Sequence, residues 1–474
     1  MESHNCGQKD TKRPVANTLM DIHSKTAKVP DKPLNQSEVH KIRRLILDRQ
    51  GLLRRQPFGV GTSGLLATIQ RLGYIQIDTI SVVARAHHHT WASRVPNYTP
   101  AQCDSLLAQG QTFEYWSHAA AFLPMQDFRY SLREKAAVAA GISRFKRQRD
   151  KPLMNRLLQQ IRADGPLSAK DLEDTREQKS ASGWWNWKPA KKALEMLWLQ
   201  GDVMVSERRG FQKHYDLTER ILPGHVGTTM PSLTEQANFM LDQALLNQVI
   251  VTPKSIAYER HDAALTQAVA DAIESRVADG SLLTVRWPKP QQTAAHPKAP
   301  GNALEKAPQK ALSGARSANK PAANRTEELW FTQPETLQSA MPKTNPRLRI
   351  LSPFDNVLIQ RRRLLTLFDF DYQIECYVPE RKRRFGYFAL PLLWRDQFIG
   401  RLDCKAHRHR RVLELKLTTF EIDASQLADA AHALAQALPE FCVFQGCDQA
   451  QIGEVRPPRA KGPLQRAVRA VGLT

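Results

Sequence analysis

The chain has 474 residues, too many for one compact core, so roughly two to four domains are expected. Lys plus Arg number 68 against 47 Asp plus Glu, a net charge of +21. That surplus points to a polyanionic partner, nucleic acid before an anionic membrane. No apolar run is long enough to span a bilayer, residues 1–35 carry no apolar signal core, and the six scattered cysteines form no C-x-x-C pair. The expectation is a cytoplasmic, nucleoid-associated monomer with no metal, no cofactor and no disulfide framework.

Residues 1–36 read as a disordered, turn-rich extension. A helix starts near Ser37, a cap residue, with Val39, Ile42, Leu45 and Ile46 on one face and Arg43, Arg44 and Arg49 on the other. After the loop Pro57 to Gly64, a second helix carries Leu65, Ile69 and Leu72 and stops at Gly73. Gly73 to Ile80 alternates apolar and polar residues and predicts a strand. Helices feeding a strand, with a basic face, predict a winged helix over 37–150. Pro124 to about Ala140 reads as a further helix. A second unit of that type spans 151–225. It has a helix with Asp171 and Leu172 capped by Gly165 to Ser168, a helix from Pro189 to Gln200, and a hairpin of Val203–Ser206 and Lys213–Leu217 tipped by Arg208 and Arg209. A third, 226–287, has helices Leu233–Leu246 and His261–Ala278 and a strand Leu282–Trp287.

Residues 288–327, rich in Pro, Ala and Lys, predict a disordered basic linker. Residues 328–456 turn to β. Gln373–Val378 and Phe385–Leu390 predict a hairpin with Arg381, Lys382, Arg383 and Arg384 at its tip. A meander over Phe398–Cys404 and Val412–Leu417, a helix Ala424–Leu438 and a strand Phe441–Phe444 follow, then a basic tail, 457–474. The fold class expected is α+β, three tandem winged-helix units followed by a barrel-like β-domain.

The residues that carry chemistry start at the Gly73–Ile80 strand. Alternation puts Ile75, Ile77 and Thr79 on one face and Gln76 and Asp78 on the other. An amide beside a carboxylate on a rigid element can hold one water, the amide orienting it and the carboxylate taking its proton. The same pair also suits an ordinary half-buried strand. For His87, His88 and His89 no carboxylate or cysteine lies at a supporting spacing, so phosphate contact and core packing stand ahead of a metal. Trp116 lines a lesion pocket or belongs to the core, and His118 is a candidate phosphate donor. The run Arg381 to Arg384 is a solvated turn or a probe into a DNA groove. Trp184, Trp185 and Trp187 suit packing between units, and Asp355 suits a turn or cap.

Taken together, Gly73-Tyr74-Ile75-Gln76-Ile77-Asp78, Arg85-Ala86-His87-His88, Glu114-Tyr115-Trp116-Ser117-His118-Ala119, Trp184-Trp185-Asn186-Trp187-Lys188-Pro189, Ser352-Pro353-Phe354-Asp355-Asn356 and Phe370-Asp371-Tyr372 carry a resemblance. Their order and spacing resemble the winged-helix DNA glycosylases of the YcaQ (AlkX) and AlkZ type, over about 37–287 and 328–456. The resemblance implies tandem winged helices and a β-domain around a concave DNA-binding channel. It implies action on N7-alkylated purines and interstrand crosslinks in double-stranded DNA. It also implies a catalytic Gln-apolar-Gln or Gln-apolar-Asp signature, here Gln76 and Asp78. The DNA-binding set expected is Arg85, His87, His88, Trp116, His118, Arg381, Lys382, Arg383 and Arg384. A non-enzymatic winged-helix regulator fits the charge and the helix-hairpin units equally well, but has no use for Gln76 and Asp78 facing DNA. A membrane-surface protein would need a basic amphipathic helix with bulky apolar anchors, and none stands out.

Overall fold

The computed structural model describes residues 33–143, 145, 149–172, 189–288 and 328–473. The segments expected to be disordered, and Trp184, Trp185 and Trp187, fall largely or wholly outside the described residues.

The helix Gln36–Arg49 has its cap at Asn35, two residues before the expected one. Asn35 accepts from the Glu38 amide, and the Glu38 carboxylate accepts from the Asn35 amide, a reciprocal capping box. Its apolar face packs against Val285, Trp330, Leu351, Leu358 and Leu364, so the helix docks on later parts of the chain. Each such buried aliphatic side chain contributes about 1.5–3 kcal/mol. The helix Gly61–Leu72 ends at Gly73, whose φ of +79° is the left-handed stop the sequence predicts.

Three small antiparallel sheets follow in chain order. The first holds β1 (Ile75–Gln76), β2 (Thr112–Trp116) and β3 (Ala120–Pro124), in the order β1-β3-β2. The second holds β4 (Leu167–Ser168), β5 (Val203–Arg209) and β6 (Gln212–Leu217), in the order β4-β6-β5. Strand β4 stands where Gly165 to Ser168 was expected to cap a helix. The third holds β7 (Ile250–Val251), β8 (Leu283–Arg286) and β9 (Leu329–Thr332), in the order β7-β9-β8. Strand β9 lies beyond residue 327, so the third sheet is closed by residues that follow the basic segment. The first two sheets share one core, in which Leu65, Phe113 and Phe122 meet Leu194, Leu197 and Val205. Tyr115 donates its hydroxyl to the Leu199 carbonyl at 2.6 Å, and Trp198 donates to the Glu114 carbonyl at 3.0 Å.

The C-terminal sheet corrects several expectations. It runs β10 (Leu348–Ile350), β11 (Leu390–Trp394), β12 (Gln397–His407), β13 (Val412–Phe420) and β14 (Gln449–Arg456) in sequence order, and it is open rather than barrel-like. Strand β14 lies parallel to β13, which requires a crossover, and the long helix Leu427–Gln445 supplies it. That helix covers the apolar face with Ala430, Leu434 and Leu438, so the face is buried without closure. The expected strand Phe441–Phe444 is the last turn of this helix. Phe441 is 8% exposed and Val443 76%, opposite fates for residues that would share a face of a strand. The basic tail folds as a helix, Lys461–Ala470, with Leu464 and Val468 buried in the same core.

The expected hairpin over 373–390 is also replaced. Residues 371–389 form a loop with one 3-10 turn at Glu380–Lys382. Its amides go to carboxylates instead of a ladder. Glu375 accepts from Arg384, Phe385 and Gly386, and Asp403 accepts from Tyr387 and Phe388.

Candidate active site

Strand β1 is short because only Ile75 and Gln76 find partners on β3, facing Phe122 and Ala121. Ile77 still donates to the Ala120 carbonyl at 2.8 Å, so the alternation persists one residue further. Ile75 and Ile77 enter the shared core. Tyr74, Gln76 and Asp78 are therefore the residues of the opposite face. Just past the strand the Asp78 carboxylate accepts from the Ile80 amide at 2.8 Å and folds the chain into a turn. The chain then crosses to the C-terminal sheet. The Val82 carbonyl accepts from Ala406 at 3.0 Å, the Ala84 amide donates to the Gln445 side chain at 2.7 Å, and Val83 is buried in that core. Asp78 thus sits at a seam between the first sheet and the C-terminal sheet.

Gln76 is 7% exposed, and its Oε1 lies 2.9 Å from His118 Nε2. An amide oxygen only accepts, so His118 Nε2 carries the proton and Gln76 keeps its amino group as a donor. The His118 ring stands edge-on to Tyr74 at 5.0 Å. Asp78 is half-buried, and burial pushes its carboxyl above the usual carboxylate range, partly offset by the Ile80 and Thr79 amides. Across the seam lies the 371–389 loop. Burial, and then the charge of Asp78, raises the Cys376 thiol to about 11, and both also raise the Tyr377 hydroxyl.

A cavity of about 160 Å³ opens beside this face, lined by Tyr74, Trp116, Ser117, His118, Tyr258 and Asn356 among others. Its volume is that of a single small aromatic ligand. Trp116 and His118 are therefore wall residues of one cavity, and Trp116 also packs edge-on against Phe145 at 5.1 Å.

The structure draws Arg85, His87 and His88 the other way. The Arg85 guanidinium lies 4.0 Å over the Phe211 ring, shared with Arg208 at 4.4 Å. His87 is 2% exposed and stacks on the same ring. His88 Nδ1 meets the Tyr98 hydroxyl at 2.6 Å, and His89 Nε2 meets the Ile350 carbonyl at 2.9 Å. Burial holds His87 well below its ordinary range and takes His88 and His89 down to about 4, so all three rings are neutral at physiological pH. Neutral imidazoles, two of them buried and His88 half-buried, offer a phosphate no charge in this conformation. Among the described residues no cluster of three or more His, Cys, Asp or Glu side chains is arranged to hold a metal ion. Arg381, Lys382 and Arg384 are exposed on the 371–389 loop. Arg383 is half-buried, donating to the Val378 carbonyl at 2.8 Å.

Two features escaped sequence reasoning. Asp355 does help shape a turn, accepting from the Val357 amide, but it also takes both amino groups of Arg94 at 2.7 and 2.9 Å, with both side chains fully buried. Its neighbour Asn356 donates to the Tyr74 carbonyl at 3.0 Å. The Ser-Pro-Phe-Asp-Asn segment therefore fixes the backbone immediately before Gln76. The only signal was its place among the segments that carry the family resemblance, because the partners lie 261 and 282 residues apart.

Comparison with known proteins covers most of the chain. The model of the AlkZ-like DNA glycosylase family matches residues 69–315 and 303–437. Among solved structures, the DNA glycosylase AlkZ of Streptomyces sahachiroi is similar in fold, with a TM-score of 0.52 and 14% identity, over 88% of this chain and 99% of that one.

Proposed function

Because the chain belongs to the AlkZ-like DNA glycosylase family, we propose that it hydrolyses the N-glycosidic bond of N7-alkylated purines in double-stranded DNA and unhooks interstrand crosslinks, with Asp78 as general base and Gln76 as the residue that positions water. The observation that carries this reading is the placement of the pair. Gln76 is locked by His118, Asp78 follows it on the same face, and the carboxylate stands half-buried at a seam opposite a cation-bearing loop. Three small sheets, each of a short strand plus an antiparallel pair set among helices, with the pair a hairpin in the first two, support the tandem winged-helix reading.

The chemistry follows from the groups present. An N7-alkylpurine is already cationic, so its departure needs little acid assistance. As the C1′–N9 bond breaks, its electron pair passes to the purine and quenches the ring charge, leaving an oxocarbenium-like sugar. The Asp78 carboxylate stabilises that cation, and it takes the proton of the water whose oxygen attacks C1′. The Gln76 amino group holds the water in line. His118 acts through Gln76, keeping its oxygen engaged. The products are an abasic site and a neutral alkylated base. Water, not an amine, is the nucleophile at C1′, so no Schiff base forms to cleave the strand; the reading is a monofunctional enzyme that needs only water, acting as a monomer.

The test is incubation with duplexes carrying an N7-methylguanine or a nitrogen-mustard crosslink, with alkali then revealing abasic sites. Asp78→Asn should remove ~2–4 kcal/mol of transition-state stabilisation. The reading falls if Asp78→Asn and Gln76→Ala both excise at the parent rate. Because burial raises the Asp78 carboxyl, the acid limb of kcat/KM should lie above the pH at which a solvated aspartate titrates, about 3.9. The sign for stability is opposite. A folded-state pKa above the unfolded one makes the carboxylate lose stability as pH rises through that window. Asp78→Asn should therefore unfold no earlier than the parent at neutral pH, which shows that its defect is chemical.

A further inference from the structure

Among the described residues with large, exposed apolar side chains, the aromatic ones are Tyr377, 71% exposed, and Tyr387, 36% exposed, and both stand on the 371–389 loop. A tyrosine that far out in water earns nothing from the core, so its position asks for an external surface. The loop beneath it is stiff. Three backbone amides converge on Glu375, at 3.0, 2.8 and 3.2 Å, and Arg456 donates to the Arg384 carbonyl at 2.8 Å. Arg401 lays its guanidinium 3.8 Å over Phe385. Gly386, at φ +111°, leaves no room for a Cβ, which would meet the Asp403 carboxylate at 2.2 Å. A pre-ordered platform presents its side chain with little further entropic loss on binding. Four residues after Asp78 the Val82 carbonyl takes the Ala406 amide of β12, and Tyr387 and Phe388 of the loop donate to Asp403 of the same strand, so the loop and the candidate base meet at one seam.

Resting on the glycosylase reading above, we propose that Tyr377 is a wedge that enters the base stack beside the damaged nucleotide and holds its sugar in front of Asp78. Inside an intact duplex the anomeric carbon is screened by stacked neighbours. An aromatic face inserted into the stack replaces the contacts that opening removes, without reading sequence. Exposed Arg381, Lys382 and Arg384 on the same loop flank it with charges suited to the two backbones.

The experiment compares Tyr377→Ala, Tyr377→Phe and Tyr377→Trp with the parent, on a duplex carrying N7-methylguanine opposite cytosine and on one carrying it opposite an abasic spacer. Tyr377→Ala should lower kcat/KM on the paired duplex by about tenfold or more, the scale of one lost base–aromatic stack, while Phe and Trp retain most of it. On the spacer duplex, where no stack has to be opened, the Ala defect should shrink to about twofold. In an Asp78→Asn background, which binds without turnover, 2-aminopurine beside the lesion should brighten on binding, and Tyr377→Ala should abolish that rise. An equal Ala defect on both duplexes, or a fluorescence rise that survives Tyr377→Ala, overturns the wedge. If the parent shows Asp78-dependent excision and Tyr377→Ala matches it on the paired duplex, the wedge falls and the glycosylase reading stands. If the parent excises nothing, that reading falls, and the 2-aminopurine signal alone decides the wedge.

Discussion

Asp355 and Glu375 are two acceptors in the same part of the chain, and they do opposite work. Asp355 is fully buried behind the β1 strand and is matched to the Arg94 guanidinium. Glu375 is 8% exposed at the front of the seam and is matched to backbone amides, while Arg381, Lys382 and Arg384 of its own loop face outward. The difference teaches how to read a strongly basic composition. Part of the surplus is structural. Arg349 is also buried, donating to the Leu52 carbonyl at 3.1 Å, and burial takes it down to about 9. Arg363 donates to the Ile250 and Gln248 carbonyls. These side chains lace loops and sheets together and present nothing to a phosphate. Net charge alone does not separate them from the loop cations.

The comparison breaks most sharply at the rear. Arg94→Leu leaves the Asp355 carboxylate buried without a counter-charge, which should destabilise the protein by about 3–5 kcal/mol in denaturant melts. Combining it with Asp355→Leu should recover a good part of that loss, because the desolvated charge goes too. A loss below about 1 kcal/mol, within the range of exposed pairs, would mean that Asp355 is solvated and that front and rear do not differ as described.

At the front the expected effect is smaller and local. Glu375→Gln keeps the shape but makes the acceptor neutral, so hydrogen bonds worth about 1.5–3 kcal/mol each to a charged group fall towards about 1. Hydrogen exchange at the Phe385 and Gly386 amides should speed up, while amides of β12 and β13 hold theirs. Uniform acceleration across the sheet would show that Glu375 supports the domain as a whole, as Asp355 does.

What was legible in the sequence follows the same divide between local and distant forces. Helices set by periodicity and end signals emerged nearly intact. Gly73 stops its helix, and Leu233 and Ala278 bound the elements expected there. The 371–389 loop was misread because Gln373–Val378 and Phe385–Leu390 do alternate, yet their amides are claimed by Glu375 and Asp403, and no local pattern reveals a carboxylate acting from a distance. The tail was read by charge alone, although Leu464 and Val468 are spaced to bury one helical face. At the site, the shared face of Gln76 and Asp78 is a matter of alternation and could be read. The His118 bond to Gln76 spans 42 residues and the Arg94–Asp355 pair 261, so both depend on a tertiary fold that composition does not encode.

The finest test of the comparison separates cations by exposure. Each Lys or Arg that neutralises a phosphate releases counterions, and its removal should lower the slope of log affinity against log salt by about one unit. Arg381→Ala, Lys382→Ala and Arg384→Ala should each do so, since all three are exposed on the loop. Arg383→Ala should do less, because its Nε is already donated to the Val378 carbonyl and its guanidinium lies 5.1 Å from the Tyr387 ring. Arg349→Met should leave the slope unchanged and act on stability alone, its side chain being committed to carbonyls behind the seam. Affinity for duplex DNA, measured across a salt series for each single variant, puts these in order. An Arg349 variant that flattens the slope as much as the Arg381 variant would place the polyanion at the rear of the molecule, and the front of the seam would lose its claim to DNA.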